Sequence, residues 1–168
     1  SKTYVGYNFS IGAKYTVTKN HIFRINGSTG FRIPHLSELL SNGVHHGSFR
    51  YEVGDAGLKT EKAAQLDFSY EYAGEHISHV VNPFVNVLQN YIYLQPQDSM
   101  VNSLQVFHYR QSNQNVWQTG ADLGLHWHPH FAHILHVEST ISYLTMMSQN
   151  SNALSLIPQP RWNNSIIT

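Results

Sequence analysis

The chain has 168 residues and no net formal charge, with ten Lys and Arg against ten Asp and Glu, so it fits one ordinary domain and lacks the basic footprint of a nucleic-acid binder. It has no cysteine, which excludes disulfides and thiolate metal sites, and no apolar run of the roughly 18 residues a membrane helix needs. Only 12% of residues are charged while 12% are aromatic, and mean hydropathy is −0.32; strands with one lipid-facing and one polar face produce such an average.

Period two dominates the chain. Val5, Tyr7, Phe9, Ile11, Ala13, Tyr15 and Val17 share one parity, and Asn8, Ser10, Gly12, Lys14 and Thr16 the other, the pattern of a strand with one apolar face. Thr18-Lys19-Asn20 reads as a turn. In the second strand Phe23, Ile25 and Phe31 oppose Arg24, Asn26, Ser28 and Arg32. The parity survives Asn26-Gly27, so the strand is read through this hairpin signal.

Residues 33 to 62, punctuated by Gly43, Gly47, Gly54 and Gly57, are expected to form a long loop. A third strand follows from Gln65 to Tyr72, with Leu66, Phe68, Tyr70 and Tyr72 against Gln65, Asp67, Ser69 and Glu71. After the turn Ala73-Gly74-Glu75-His76, a fourth strand of mixed parity runs from Ile77 to about Leu94. Residues 95 to 103 are a second expected loop. Leu104 to Trp127 is a long strand or strand pair, and Phe131 to Thr145 another strand, turning at His128-Pro129-His130. Residues 148 to 160 are a third loop, and a last strand starts at Arg161.

The rhythm is long strand, short turn, long strand, long loop. It describes an all-β chain of antiparallel up-and-down strands, with short turns at one end and long loops at the other, as in outer-membrane barrels. Tyr7, Phe9, Leu66, Phe68, Tyr70, Leu123, Leu125, Leu135 and Val137 are expected to face lipid. Asn8, Gln65, Asp67, Ser69, Asp122, His136 and Glu138 are expected to face the lumen, together with Arg24, Arg32 and Glu71.

Three segments carry a family resemblance. Gly30-Phe31-Arg32-Ile33-Pro34-His35-Leu36-Ser37-Glu38-Leu39 resembles the Phe-Arg-x-Pro-x-Leu-x-Glu-Leu segment of TonB-dependent outer-membrane receptors, with Ile33 where the family commonly has Ala. Gly54-Asp55-Ala56-Gly57-Leu58-Lys59-Thr60-Glu61 is similar to their Gly-Asn-Pro-x-Leu-Lys-Pro-Glu, with both prolines replaced. Asn82-Pro83-Phe84-Val85-Asn86 followed by Asn90-Tyr91-Ile92-Tyr93-Leu94 looks like a strand rising to an extracellular loop. The resemblance covers nearly all of residues 1–168. It implies a roughly 22-stranded transmembrane β-barrel with a plugged lumen, of which this chain is an internal fragment of about seven strands, with the plug domain, TonB box and terminal strands absent. It also implies a bacterial outer-membrane location, surrounding lipid, the rest of the barrel, and a TonB complex acting through the plug to drive import.

Candidate ligands are histidines, twelve in all. His45 and His46 share the first long loop with His35, Glu38 and Glu52, and Ser41-Asn42-Gly43-Val44-His45-His46-Gly47 resembles the matching loop of zinc-uptake members. Neutral imidazoles suit zinc, copper or haem iron, so these five residues are the expected cargo-binding set, with His45 and His46 as metal ligands; the competing reading is a solvated polar loop. No resident cofactor is required, and zinc, copper or haem would be cargo. His126, His128, His130, His133 and His136 form a second group at the turn end, read there as interfacial or turn polarity. His136, Glu138 and Ser142 share one strand face but lie too far apart for a hydrolytic triad, so no enzyme is expected. The alternatives are a soluble β-sandwich or lectin-like binding module, an outer-membrane enzyme, or a small stand-alone outer-membrane barrel.

Overall fold

The computed structural model describes residues 4–129, 134–148 and 158–167. Eleven strands and one short helix lie among them. Seven long strands form one continuous antiparallel sheet: β1 (Phe9–Thr18), β2 (His21–Arg32), β5 (Glu61–Ala73), β6 (Ile77–Gln89), β9 (Val116–Trp127), β10 (His136–Ser148) and β11 (Arg161–Ile167), in that spatial order. Each pairs with the next long strand in the chain, so the layout is up-and-down. The sheet is open, with β1 and β11 at its edges.

Cross-strand register carries the sequence alternation across the sheet. One row runs Asn26, Asp67 and Phe84, and another Asn82, Asp122 and Ser142. These sit on one polar face with Lys14, Arg24, Gln65, Glu71, His126, Glu138 and Arg161. The opposite face holds Tyr15, Phe23, Ile25, Leu66, Phe68, Tyr70, Val81, Leu123, Leu125, Val137 and Ile141. A one-residue slip anywhere would swap the faces; none occurs among the long strands beyond an irregularity at Thr16/Thr18. β2 passes unbroken through Asn26-Gly27.

The described residues leave both faces of the long sheet largely uncovered. Phe9, Ile11 and Tyr15 are 63%, 66% and 70% exposed. The buried Leu58, Leu88, Ile92, Val106 and Val116 all lie at the loop end. A soluble two-layer domain would bury one face of so large a sheet. An apolar face this extensive instead requires a partner as apolar as itself.

Three expectations are corrected. Residues 33 to 62 are not one loop: they hold α1 (Leu36–Leu40), β3 (Asn42–His45), β4 (Arg50–Val53) and the start of β5. Residues 95 to 103 are likewise the body of a hairpin, β7 (Ile92–Val101) and β8 (Leu104–Gln111), turning at Asn102 and Ser103. Both turn residues have positive φ, 51° and 63°, as a two-residue turn matched to strand twist requires. The fourth strand stops at Gln89 rather than Leu94, because Asn90 takes a left-handed conformation at φ 57°. The two excursions join in a second sheet, ordered β3-β4-β8-β7, in which β4 and β8 run parallel. Pro96 is tolerated because β7 is an edge strand. The third expected loop, residues 148 to 160, lies mostly outside the described residues.

Candidate functional site

The loop-end excursions stand on a clamp built from two of the sequence segments singled out above. Arg32, at the end of β2, donates from Nη1 to both carboxylate oxygens of Glu38 at 2.9 Å, and from Nη2 to Glu61 Oε2 at 3.3 Å. Glu38 also accepts the backbone N–H of His35 at 2.7 Å, closing the first turn of α1. Glu61, the cross-strand partner of Arg32, accepts the backbone N–H of Ile92 at 2.9 Å. A single guanidinium thus ties β2, α1, β5 and the entry to β7. Tyr91, beside this knot, has its hydroxyl pKa raised by burial and then by the Glu61 charge.

Gly54 makes the return path. A Cβ there would lie 2.7 Å from Leu39 C and Leu40 N, so only glycine lets the backbone pass under α1. It donates to Ser41 O at 2.7 Å, and Asp55 N donates to Glu38 O at 2.8 Å. The two prolines absent from this segment are replaced in effect by an Asx turn, in which Asp55 Oδ1 accepts Gly57 N at 2.7 Å. Leu58 then plugs the junction at 2% exposure. Gln111 finishes the clamp: its side-chain amide pairs with the Lys59 backbone at 3.0 and 2.7 Å, as a strand would.

The second sheet has its own buried charge. Glu52 is 3% exposed. Its carboxylate accepts from Arg50 Nε at 2.7 Å and from the Tyr109 hydroxyl at 3.0 Å. Burial, and then the bond to Glu52, push the Tyr109 pKa up to about 12. Arg50 also lies over the Phe107 ring, 5.4 Å from its centroid.

The five expected cargo residues therefore divide. His45 ends β3 and His46 follows it, both exposed at the tip of the β3–β4 hairpin. His45 Nδ1 lies 3.0 Å from Ser48 Oγ. His35 is exposed beside α1. Glu38 and Glu52 are committed to Arg32, Arg50 and Tyr109, so the carboxylates brace the tip instead of facing out with it. Among the described residues no three His, Asp or Glu side chains already converge in a metal-binding geometry.

Arg24, Arg32, Asp67, Glu71, Asp122, His136 and Glu138 all lie on the polar face of the long sheet. Arg24 pairs with Glu71 at 2.7 Å with both side chains well exposed, and such pairs contribute little stability. Asp67 and Asp122 line a recess of about 380 Å³ with Gln65, Ser69 and Asn82. At the turn end His76, His126, His128 and His136 stack, with ring centroids 5.0–6.3 Å apart. His76 was not singled out in the sequence; its position opposite His128 follows only from the β6–β9 register. His130 and His133 lie outside the described residues.

The apolar face carries ring-bearing side chains at both ends. At the turn end His21, Phe23, Tyr70, Tyr72 and His79 stack within 4.8–6.1 Å of one another, and His21 Nδ1 lies 2.9 Å from the Tyr70 hydroxyl. On β9, Trp127 marks that end and Trp117 the other, with Ala121, Leu123 and Leu125 between. Ten residues at about 3.3 Å each, tilted by about 40°, span about 25 Å of height, the thickness of an outer-membrane apolar band.

A profile of the TonB-dependent receptor-like β-barrel matches residues 1–167. The chain belongs to the TonB-dependent receptor β-barrel family. Barrels of this family lie in the bacterial outer membrane. Solved structures with the same fold include the copper transporter OprC, with TM-score 0.72 and 16% identity over 95% of this chain and 23% of that one. The ferric enterobactin receptor PfeA of Pseudomonas aeruginosa gives TM-score 0.68 and 16% identity over 96% and 25%. The siderophore receptor PirA of the same organism gives TM-score 0.65 and 16% identity over 84% and 25%. The chain therefore spans about a quarter of the length of the receptors it matches. The family match removes the β-sandwich and lectin alternatives.

Proposed function

We propose that this chain forms an arc of the wall of an active importer that takes a scarce metal ion, haem or metal chelate across the outer membrane. The apolar face meets lipid and the polar face lines the lumen. The short turns lie in the periplasm and the braced hairpins stand outside the cell, as the loop asymmetry of outer-membrane barrels requires. A plug domain carried elsewhere in the receptor would fill the lumen and couple to the TonB complex. The observation that carries this reading is the unbroken parity of seven paired strands, with one face apolar and the other polar, in a chain of this family.

Cargo contact belongs to the tip of the β3–β4 hairpin. His45 and His46 are adjacent, exposed imidazoles on a turn, held away from the wall by Glu52, Arg50 and the Arg32–Glu38 clamp. They supply nitrogen ligands without thiols, which an exposed site exposed to oxidants favours. His35 stands at the same end as a further donor, and Glu38 and Glu52 contribute by positioning. Copper, iron and ferric-siderophore transport in receptors of the same fold accords with such a cargo. The test is uptake by the whole receptor in cells starved of zinc, copper or haem iron. His45→Ala with His46→Ala is expected to reduce uptake of one of the three. Unchanged uptake and binding of all three would reject the cargo assignment and leave the barrel intact.

A further inference from the structure

We propose that the loop end of the apolar face carries a site for one phosphate-bearing lipid of the outer leaflet, with its phosphate at the Lys62 ammonium and an acyl chain in the recess beside it. The inference rests on the reading that this face meets lipid with the hairpins outside the cell. It does not depend on which cargo the β3–β4 tip takes.

Register puts a lone cation on the apolar face. On β5, Lys62 shares the parity of Ala64, Leu66 and Phe68, and it stands opposite Phe31 on β2 and Gln89 on β6. Its chain neighbour Glu61 points the other way, into the Arg32 clamp. Among the described residues of the seven long strands, Lys62 is the one Lys, Arg, Asp or Glu on this face. It is exposed, and among the described residues no carboxylate pairs with it. It lies two residues beyond the cross-strand row Ala64, Val87 and Trp117. With Trp117 at the edge of the apolar band, that is the depth of lipid headgroups.

A recess of about 290 Å³ opens beside this cation, and Val5, Tyr7, Phe31, Ala64 and Val87 line it together with Lys62. Gly6 permits its shape: a Cβ there would collide with the Phe31 ring, so the chain ahead of β1 lies directly against that ring. A lysine at a membrane surface can extend to water and need no partner. Here it stands over an apolar recess with no carboxylate to neutralise it. That combination matches an amphiphile, hydrocarbon below and an anionic head above, and lysine takes phosphate as a point charge. The other recess on this face marks the contrast. It holds about 260 Å³ at the turn end, against His79, Val81, Leu123 and Ile141, and no Lys or Arg lines it. Because Glu61 belongs to the clamp, a lipid held at Lys62 would brace the foot of the hairpins against the leaflet.

The experiment uses the purified full-length receptor in dodecylmaltoside micelles, with an environment-sensitive fluorophore coupled to Gln89→Cys at the recess. Lipid A carrying both phosphates is titrated in, and in parallel lipid A from which the phosphates have been removed. The expected result is a saturable signal with the phosphorylated lipid, about fivefold tighter than with the dephosphorylated one, and loss of that preference in Lys62→Gln. Lys62→Arg is expected to keep it. Ala64→Trp, which fills the recess and leaves the charge, is expected to abolish saturation by both lipids. Equal affinities in the starting protein, a preference that survives Lys62→Gln, or unchanged saturation in Ala64→Trp would overturn the proposal and leave the lipid-facing assignment standing. That assignment fails separately, if Leu123→Arg and Ser142→Arg destabilise the barrel equally.

Discussion

At the residue scale, the family-like segments prove to be joinery. Arg32, Glu38 and Glu61 are a three-way charge knot, and Gly54 is there because α1 leaves no room for a Cβ. Gly54→Ala is expected to cost at least about 2 kcal/mol, since the opposing atoms are backbone and cannot rotate away; urea denaturation of the folded receptor would measure it, and a change below about 0.5 kcal/mol would show the approach to be looser. Tyr109 gives a pH signature. Burial and the bond to Glu52 raise its folded pKa to about 12 from the ordinary tyrosine value of 10.0. The unfolded chain therefore releases this proton first as pH rises, and the stabilisation, complete below pH 10, is lost progressively towards pH 12. Tyr109→Phe is expected to flatten that part of the stability profile relative to the parent, read as the difference between their melting temperatures across this range. Parallel profiles would contradict the bond to Glu52. The sequence exposed the segments but not their purpose: Glu38 and Glu52 looked like ligands because a carboxylate beside histidines is ambiguous until its cation is placed.

At the element scale, the long strands were legible because lipid on one side and polar side chains on the other impose strict alternation. β6 was the exception, and packing explains it. Val80, Phe84 and Leu88 lie on the polar face, where Phe84 covers Gly120 on β9, Val80 approaches Gly124, and Leu88 pairs with Val116 in the loop-end core. The second sheet was illegible for a different reason. Its strands are four to ten residues long, its turn is Asn-Ser instead of Asn-Gly, and its parallel β4–β8 pairing joins segments far apart in the chain. Where the excursion returns to the wall, Val116 at the start of β9 is fully buried. Val116→Ala should remove about 2 kcal/mol of burial and packing. Limited proteolysis should then cut the 90–115 excursion faster while the long strands stay protected. Equal cleavage rates would show that the excursion is held elsewhere.

At the scale of the molecule, the open apolar face fits a membrane. Leu123 sits on that face midway between Trp117 and Trp127. Leu123→Arg should therefore destabilise the barrel by about 2–4 kcal/mol, whereas Ser142→Arg on the polar face, opposite Asp122, should change stability by no more than about 0.5 kcal/mol. Refolding of each variant into vesicles would supply the comparison, and equal costs would contradict the assignment of faces. The most direct test of the whole account is which end of the sheet lies outside the cell. This segment has no cysteine of its own, so His46→Cys and Glu75→Cys can each be introduced into the receptor and treated with a membrane-impermeant maleimide on intact cells. The account predicts labelling at position 46 in intact cells, and at position 75 only after the outer membrane is opened. Labelling at 75 with protection at 46 would contradict it.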